Sequence, residues 1–175
     1  MKYLLATFLT LLSFTAYADS SATLWAFSGR AALNAGSAPK KTSHAYQIEQ
    51  ETPIGARVWD LGYLNEGNLS CKGLSNDEGC KRDGLYGMLK IPFNLTKNLE
   101  TSVAAGPYIN ATTRENGAQY VYTYGVSMLT ALSIVYHVTD NLAVQARYQH
   151  AFISSDGRDT DQFFLAAGWS PSFLK

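Results

Sequence analysis

The stretch VYHVTDNLAVQARYQHAF, Val135 to Phe152, decides how this chain is read. In its second half Leu142, Val144, Ala146 and Tyr148 alternate with Ala143, Gln145, Arg147 and Gln149. A period of two is the signature of a β-strand, here with one oily side and one carrying amides and a guanidinium. The turn inside the stretch also has a counterpart. YHVTDNLAVQA (136–146) and FNLTKNLETSV (93–103) share an apolar-x-apolar-Thr-x-Asn-Leu frame, the mark of a hairpin used twice.

Period-two segments rich in Val, Ile, Thr, Tyr and Phe recur along the chain, and beyond the first eighteen residues no segment has convincing helical periodicity. The reading is all-β, with strands at 23–34, 43–51, 54–65, 83–94, 98–111, 122–137, 141–153 and 160–173. Tight turns fall at Thr52-Pro53, Thr96-Lys97 and Thr139-Asp140. The other links, 35–42, 66–82, 112–119 and 154–159, are mostly longer and rich in Gly, Asn, Ser and charge. Short and long links alternate, so an up-and-down meander gathers the long loops at one end. The run QYVYTYGVSMLTALSIVYHV (119–138) is long enough for a membrane helix, but its Tyr-x-Tyr alternation and β-branched content favour a strand.

Residues 1–18 stand apart. Lys2, the apolar run Tyr3 to Phe14 and Ala16-Tyr17-Ala18 form an export signal, which leaves a mature chain from about Asp19 as one domain, 19–175. No Cys follows the cleavage site, which argues against a lipid anchor. Lys+Arg 14 against Asp+Glu 14 gives nothing to attract nucleic acid. Cys71 and Cys80 are the only cysteines, and in an exported chain they are expected to close a disulfide. Their spacing is not that of a metal pair, and His44, His137 and His150 form no ligand set. No cofactor or metal is expected.

The solvent of the oily side decides between two architectures. One face gathers Leu85, Leu89, Ile91, Phe93, Leu99, Val103, Ile109, Tyr124, Val126, Met128, Leu132, Ile134, Tyr136, Phe163, Leu165 and Trp169. Aromatic residues sort toward strand ends: Trp25, Phe27, Phe93, Tyr136, Trp169 and Phe173 near the tight turns, and Tyr63, Tyr122, Tyr124, Tyr148, Phe152 and Phe163 near the loops. Two girdles fit a transmembrane barrel, whereas a soluble sandwich has no reason to sort aromatics by height. Arg30, Glu49, Asp60, Lys90, Glu100, Gln145 and Arg147 take the opposite face, with small residues Ala104, Gly106, Ser127, Ala131, Ser133, Ala166 and Gly168 between them. Eight strands enclose a space that side chains just fill, so no open pore is expected.

The chain end FFLAAGWSPSFLK (163–175) resembles the assembly signal of outer-membrane strands through Gly168, Trp169 and Phe173, and departs from it in Pro171, Leu174 and Lys175. Signal, eight strands, alternating loops and this ending resemble the small eight-stranded outer-membrane barrels of Gram-negative bacteria, over essentially the whole mature chain. The resemblance implies an outer-membrane location with loops facing outward, contact with membrane lipid and lipopolysaccharide, and insertion by the barrel assembly machinery. RYQHAFISSDGRDTDQFF (147–164) is similar to the end of lipid A 3-O-deacylases, where His, a Ser two residues on and an acidic residue form a hydrolytic triad. His150 and Asp161 match their places, but position 152 is Phe.

Geometry limits that resemblance. An Asp156-Gly157 turn sets His150 opposite Phe163 and diagonal to Asp161. Ser154 then lies about 13 Å along the strand from His150 at ~3.3 Å per residue, and only a bulge or folded-back loop would bring Ser154 or Ser155 to the base. GYLNEG (62–67) and KRDG (81–84) frame the cysteine loop and place Asn65, Glu66, Arg82 and Asp83 at its rim, as a binding patch for sugar or lipid headgroup or as a salt-bridged loop base. The expected function is a non-enzymatic barrel serving surface interaction or membrane integrity. A lipid A hydrolase using His150, Ser154 and Asp161 and a narrow solute channel are the alternatives.

Overall fold

The computed structural model describes residues 22–34, 42–54, 57–70, 79–116, 119–153 and 159–170. Residues 1–18, read as an export signal, together with Cys71, Ser154, Ser155, Asp156-Gly157 and Phe173, lie outside them.

Eight strands follow one another: β1 (Thr23–Leu33), β2 (Thr42–Ile54), β3 (Arg57–Ser70), β4 (Gly79–Asn94), β5 (Leu99–Asn116), β6 (Gln119–His137), β7 (Leu142–Phe152) and β8 (Thr160–Trp169). Each pairs antiparallel with the next, and β1 pairs with β8, so the sheet closes into a barrel with no free lateral edge. The run 119–138, long enough for a helix, forms β6.

Both hairpins with the repeated frame close in the same way. Leu95 N and Thr96 N donate to Leu99 O at 2.9 and 3.1 Å, and Val138 N and Thr139 N donate to Leu142 O at 2.9 and 3.0 Å. The threonine explains the repeat. Thr96 Oγ1 accepts from Asn98 N and Leu99 N at 3.3 and 3.1 Å, and Thr139 Oγ1 from Asn141 N and Leu142 N at 3.3 and 3.1 Å. A hydroxyl thus satisfies amides that the tight turn leaves unpaired. Replacing Thr96 and Thr139 together by Ala should lower barrel stability by about 1–3 kcal/mol, read as a shift in the urea midpoint in lipid vesicles.

Three links differ from expectation, the first being 66–82, where β3 runs on to Ser70 and β4 already starts at Gly79. Thr52 and Pro53 lie inside β2, where Pro53 pairs with Val58 and Ile54 with Arg57, so the link to β3 falls after Ile54. Residues 112–116 are not loop but β5, paired up to Asn116–Gln119, so only residues 117–118 join it to β6. The β-branched run Thr112-Thr113 outweighs the polar composition there. Crossing a hydrocarbon core takes ~9–11 tilted residues, so the loop ends of these two strands, 18 and 19 residues long, stand beyond it.

The faces sort by solvent. Ile91, Phe93, Val103, Ile109, Val126, Leu132, Ile134, Val144, Phe163, Leu165 and Trp169 all point out and are exposed. Glu49, Asp60, Lys90, Ser133, Gln145, Arg147, Gln149 and Gln162 point in and are buried. Strand β1 reverses the expected assignment: Arg30 is exposed, whereas Trp25 and Phe27 are buried inside and belong to no girdle. Gly168 makes this possible, because a Cβ there would stand 2.5 Å from the Trp25 ring. Phe27 packs edge-on to Phe164, ring centroids 6.0 Å apart, under the Arg147 guanidinium 4.5 Å from its centroid.

Candidate functional site

Polar chemistry collects in three places: the barrel's lower interior, its upper interior and the outer rim of the loop end.

In the lower interior Arg147 grips Glu49 with both guanidinium nitrogens, Nη2 reaching Oε1 at 2.8 Å and Nη1 bonding Oε2. Nη2 also lies 3.5 Å from Asp60 Oδ2, and Nε donates to Ser133 Oγ at 3.2 Å. Tyr86 Oη and Gln47 Nε2 donate to Glu49 Oε2 at 2.7 and 3.2 Å. Toward the turn end Lys90 Nζ bridges Glu51 at 2.8 Å and Glu100 at 3.0 Å. Neighbouring strands deliver these groups because inward positions repeat every second residue: Glu49 and Glu51 on β2, Asp60 on β3, Tyr86 and Lys90 on β4. In a dry interior such charges persist only when paired, and the pairs fill the bore.

The upper interior carries a directed chain. Gln149 Nε2 donates to Gln162 Oε1 at 2.7 Å, Gln162 Nε2 to Thr160 Oγ1 at 3.0 Å, and Thr160 Oγ1 to Glu66 Oε2 at 2.7 Å. Arg82 Nη1 lies 3.3 Å from the same oxygen. A bulge delivers Glu66: Asn65 pairs with Asp83 but Gly67 with Arg82, leaving Glu66 as the extra residue. Gly67 holds φ 75°, a conformation that favours glycine. The four residues of GYLNEG and KRDG are therefore neighbours, but the wall divides them. Glu66 and Arg82 are buried inside. Asn65 and Asp83 face out with Tyr63, whose Oη donates to Asp83 Oδ2 at 2.6 Å. Cys80 is buried at the same end, and its expected partner Cys71 lies outside the described residues.

On the outer rim His150 pairs directly with Asp161, two residues off the register an Asp156-Gly157 turn implies. An even shift keeps every side chain on its face. His150 Nδ1 stands 2.7 Å from Asp161 Oδ1, which also accepts from Tyr148 Oη. His150 Nε2 is 3.8 Å from Asp159 Oδ2. This is an oriented base. The side chain that reaches it is Phe152, whose ring centroid lies 4.3 Å from that of the imidazole. An apolar ring thus stands where a hydroxyl two residues on would stand, and Ser154 lies outside the described residues. The sequence shows Tyr63 and Tyr148 as girdle aromatics and gives Asp159 no role, because the partners that engage them, Asp83, Asp161 and His150, lie on other segments.

A closed, eight-stranded antiparallel barrel with an oily exterior and a polar, filled interior defines an outer-membrane barrel protein. The chain belongs to the OmpA-like transmembrane domain family, whose model matches residues 16–172. It is similar in fold to Neisserial surface protein A, at 13% identity and TM-score 0.69, over 86% of this chain and 96% of that one. It is likewise similar to the N-terminal barrel domain of Pseudomonas aeruginosa OprF, at 13% identity and TM-score 0.56, over 86% of this chain and 98% of that one. Ail, the attachment invasion locus protein of Yersinia pestis, aligns at 12% identity and TM-score 0.52, over 85% of this chain and 95% of that one. No curated protein matches the sequence. The protein resides in the outer membrane, in contact with its lipid.

Proposed function

We propose that this protein is a non-enzymatic outer-membrane barrel whose loop end mediates surface contacts or membrane integrity, without an open pore. The observation that carries this reading is the combination of a plugged bore and projecting strands. Arg147, Glu49, Lys90 and their partners occupy the lower interior, while β5 and β6 extend beyond the hydrocarbon band with Tyr122 and Tyr124 exposed on their outer face. The likeness to an attachment protein of Yersinia pestis is consistent with it. In this reading residues 1–18 direct export, the barrel assembly machinery inserts the chain and a Cys71–Cys80 disulfide tethers the loop beside β4. Asn65 and Asp83 meet lipopolysaccharide headgroups at the rim, while Glu66 and Arg82 brace the wall from inside.

The test replaces the projecting tip, residues 112–123, with a two-residue turn. Heat-modifiable mobility should remain, and adhesion of expressing cells or their resistance to bile-type detergents should fall. Unchanged adhesion and unchanged detergent resistance would reject the proposal.

A lipid A hydrolase is the second reading, favoured by the 2.7 Å His150–Asp161 contact. It requires Ser154 as nucleophile, and it predicts a lipid A that loses one acyl chain on expression, visible by mass spectrometry. A channel through the bore would conduct in planar bilayers.

A further inference from the structure

The lower interior holds more negative than positive charge. Four carboxylates, Glu49, Glu51, Asp60 and Glu100, share two cations, Arg147 and Lys90. Fully ionised, the set carries 4 − 2 = 2 excess negative charges. The hydrogen bonds are also incomplete on the acceptor side. Asp60 Oδ1 and Gln47 Oε1 are buried oxygens without a donor, and both residues are 0% exposed. Buried acceptors in that condition need a proton, a water or a cation. Three of the carboxylates converge: one oxygen each from Glu49, Glu51 and Asp60 lie within 4.8 Å of one another.

We propose that this trio is a cation site selective for a calcium-sized divalent ion, with Asp60 and Glu51 as principal ligands and Glu49 shared with Arg147. The charge excess equals that of one such ion. Calcium accepts irregular oxygen shells at ~2.3–2.6 Å, so its ligands can stand ~5 Å apart, whereas magnesium holds oxygens at ~2.0–2.1 Å and keeps several waters that a filled bore has little room for. At the turn end a cleft of about 30 Å³ is lined by Glu51, Lys90, Glu100, Trp25 and Asn141, so that of the trio Glu51 borders it. The Glu51 side chain remains 20% exposed to it.

Trp25 supplies the probe, because its Nε1 donates to Glu51 Oε2 at 3.2 Å and its indole therefore adjoins the site. The full-length protein, folded in detergent micelles and stripped with chelator, is titrated with terbium under tryptophan excitation. One saturable equivalent of sensitised emission is expected, displaced by calcium at a concentration about ten-fold below that of magnesium. Asp60→Asn should abolish it, and so should Glu51→Gln, the second variant if the first does not fold. Asp159→Asn at the outer rim should leave it intact. In parallel, calcium should raise the urea midpoint of the wild type and not of Asp60→Asn. Emission that persists in both interior variants, or that Asp159→Asn removes, marks loop binding and overturns the site. Absence of emission together with an unchanged urea midpoint overturns it as well, and leaves protons as the neutralising charges.

Discussion

Replacing Arg147 by Met costs the barrel about 3–5 kcal/mol, measured as the loss in urea unfolding free energy from lipid vesicles with tryptophan emission and gel mobility as coincident probes. The methionine keeps most of the side chain's reach and its apolar contact with Phe27, so the loss is one of charge. Among the described residues, Glu49, 0% exposed in its side chain, then keeps only Tyr86 and Gln47 as donors, and Asp60 loses its one cationic neighbour within 4 Å. The cost arises from stranded carboxylates more than from the value of the ion pair itself. Arg147→Met with Glu49→Gln should accordingly recover a good part of the loss. A cost near that of an exposed pair, below about 1 kcal/mol, would mean that water fills the bore, and the plugged-barrel reading would fall with it.

The sequence disclosed this barrel wherever one strand carried its own evidence. On β7 the alternation puts Gln145, Arg147 and Gln149 inside and Val144, Tyr148 and Phe152 outside, as its residues alone imply. The Thr-x-Asn-Leu frame marked two turns because the threonine hydroxyl bonds within its own loop. What stayed hidden depends on residues far apart in the chain. In β1, TLWAFSGRAAL, both faces carry apolar residues, and the aromatic one reads as the lipid face until Gly168 and Arg147, on other strands, open a slot for Trp25 and a cation over Phe27. Glu51 was missed because Pro53 reads as a turn, although at the strand's end Pro53 still pairs with Val58. Glu66 keeps the inward alternation of Asp60 and Leu64 and Arg82 joins it inside, whereas the bulge that sets Gly67 opposite Arg82 is a change of register that periodicity cannot foresee. The rim base was half legible: His150 and Asp161 were paired by pattern, and the register that brings them to 2.7 Å was not.

Leu132→Arg tests the other face. Leu132 lies outward on β6, 52% exposed, between Thr130 and Ile134, and its cross-strand partners are Val103 on β5 and Tyr148 on β7. It sits well inside the apolar band, away from both the turn at residues 138–141 and the projecting tip. An arginine at the midplane of a lipid-facing wall costs about 2–4 kcal/mol, because no water reaches the guanidinium there and the side chain must stretch toward an interface. The same substitution at Tyr122, on the same face of the projecting part of β6 and 58% exposed, should cost under about 1 kcal/mol, since its surroundings are aqueous. The difference between the two sites is the informative quantity, read from reversible urea titrations in vesicles. On a water-facing sheet both arginines would be nearly neutral, so equal and small effects at Leu132 and Tyr122 would remove hydrocarbon as the solvent of the outer face. A depth-dependent penalty has no other source, because neither side chain touches the buried charge network that sets the interior's stability.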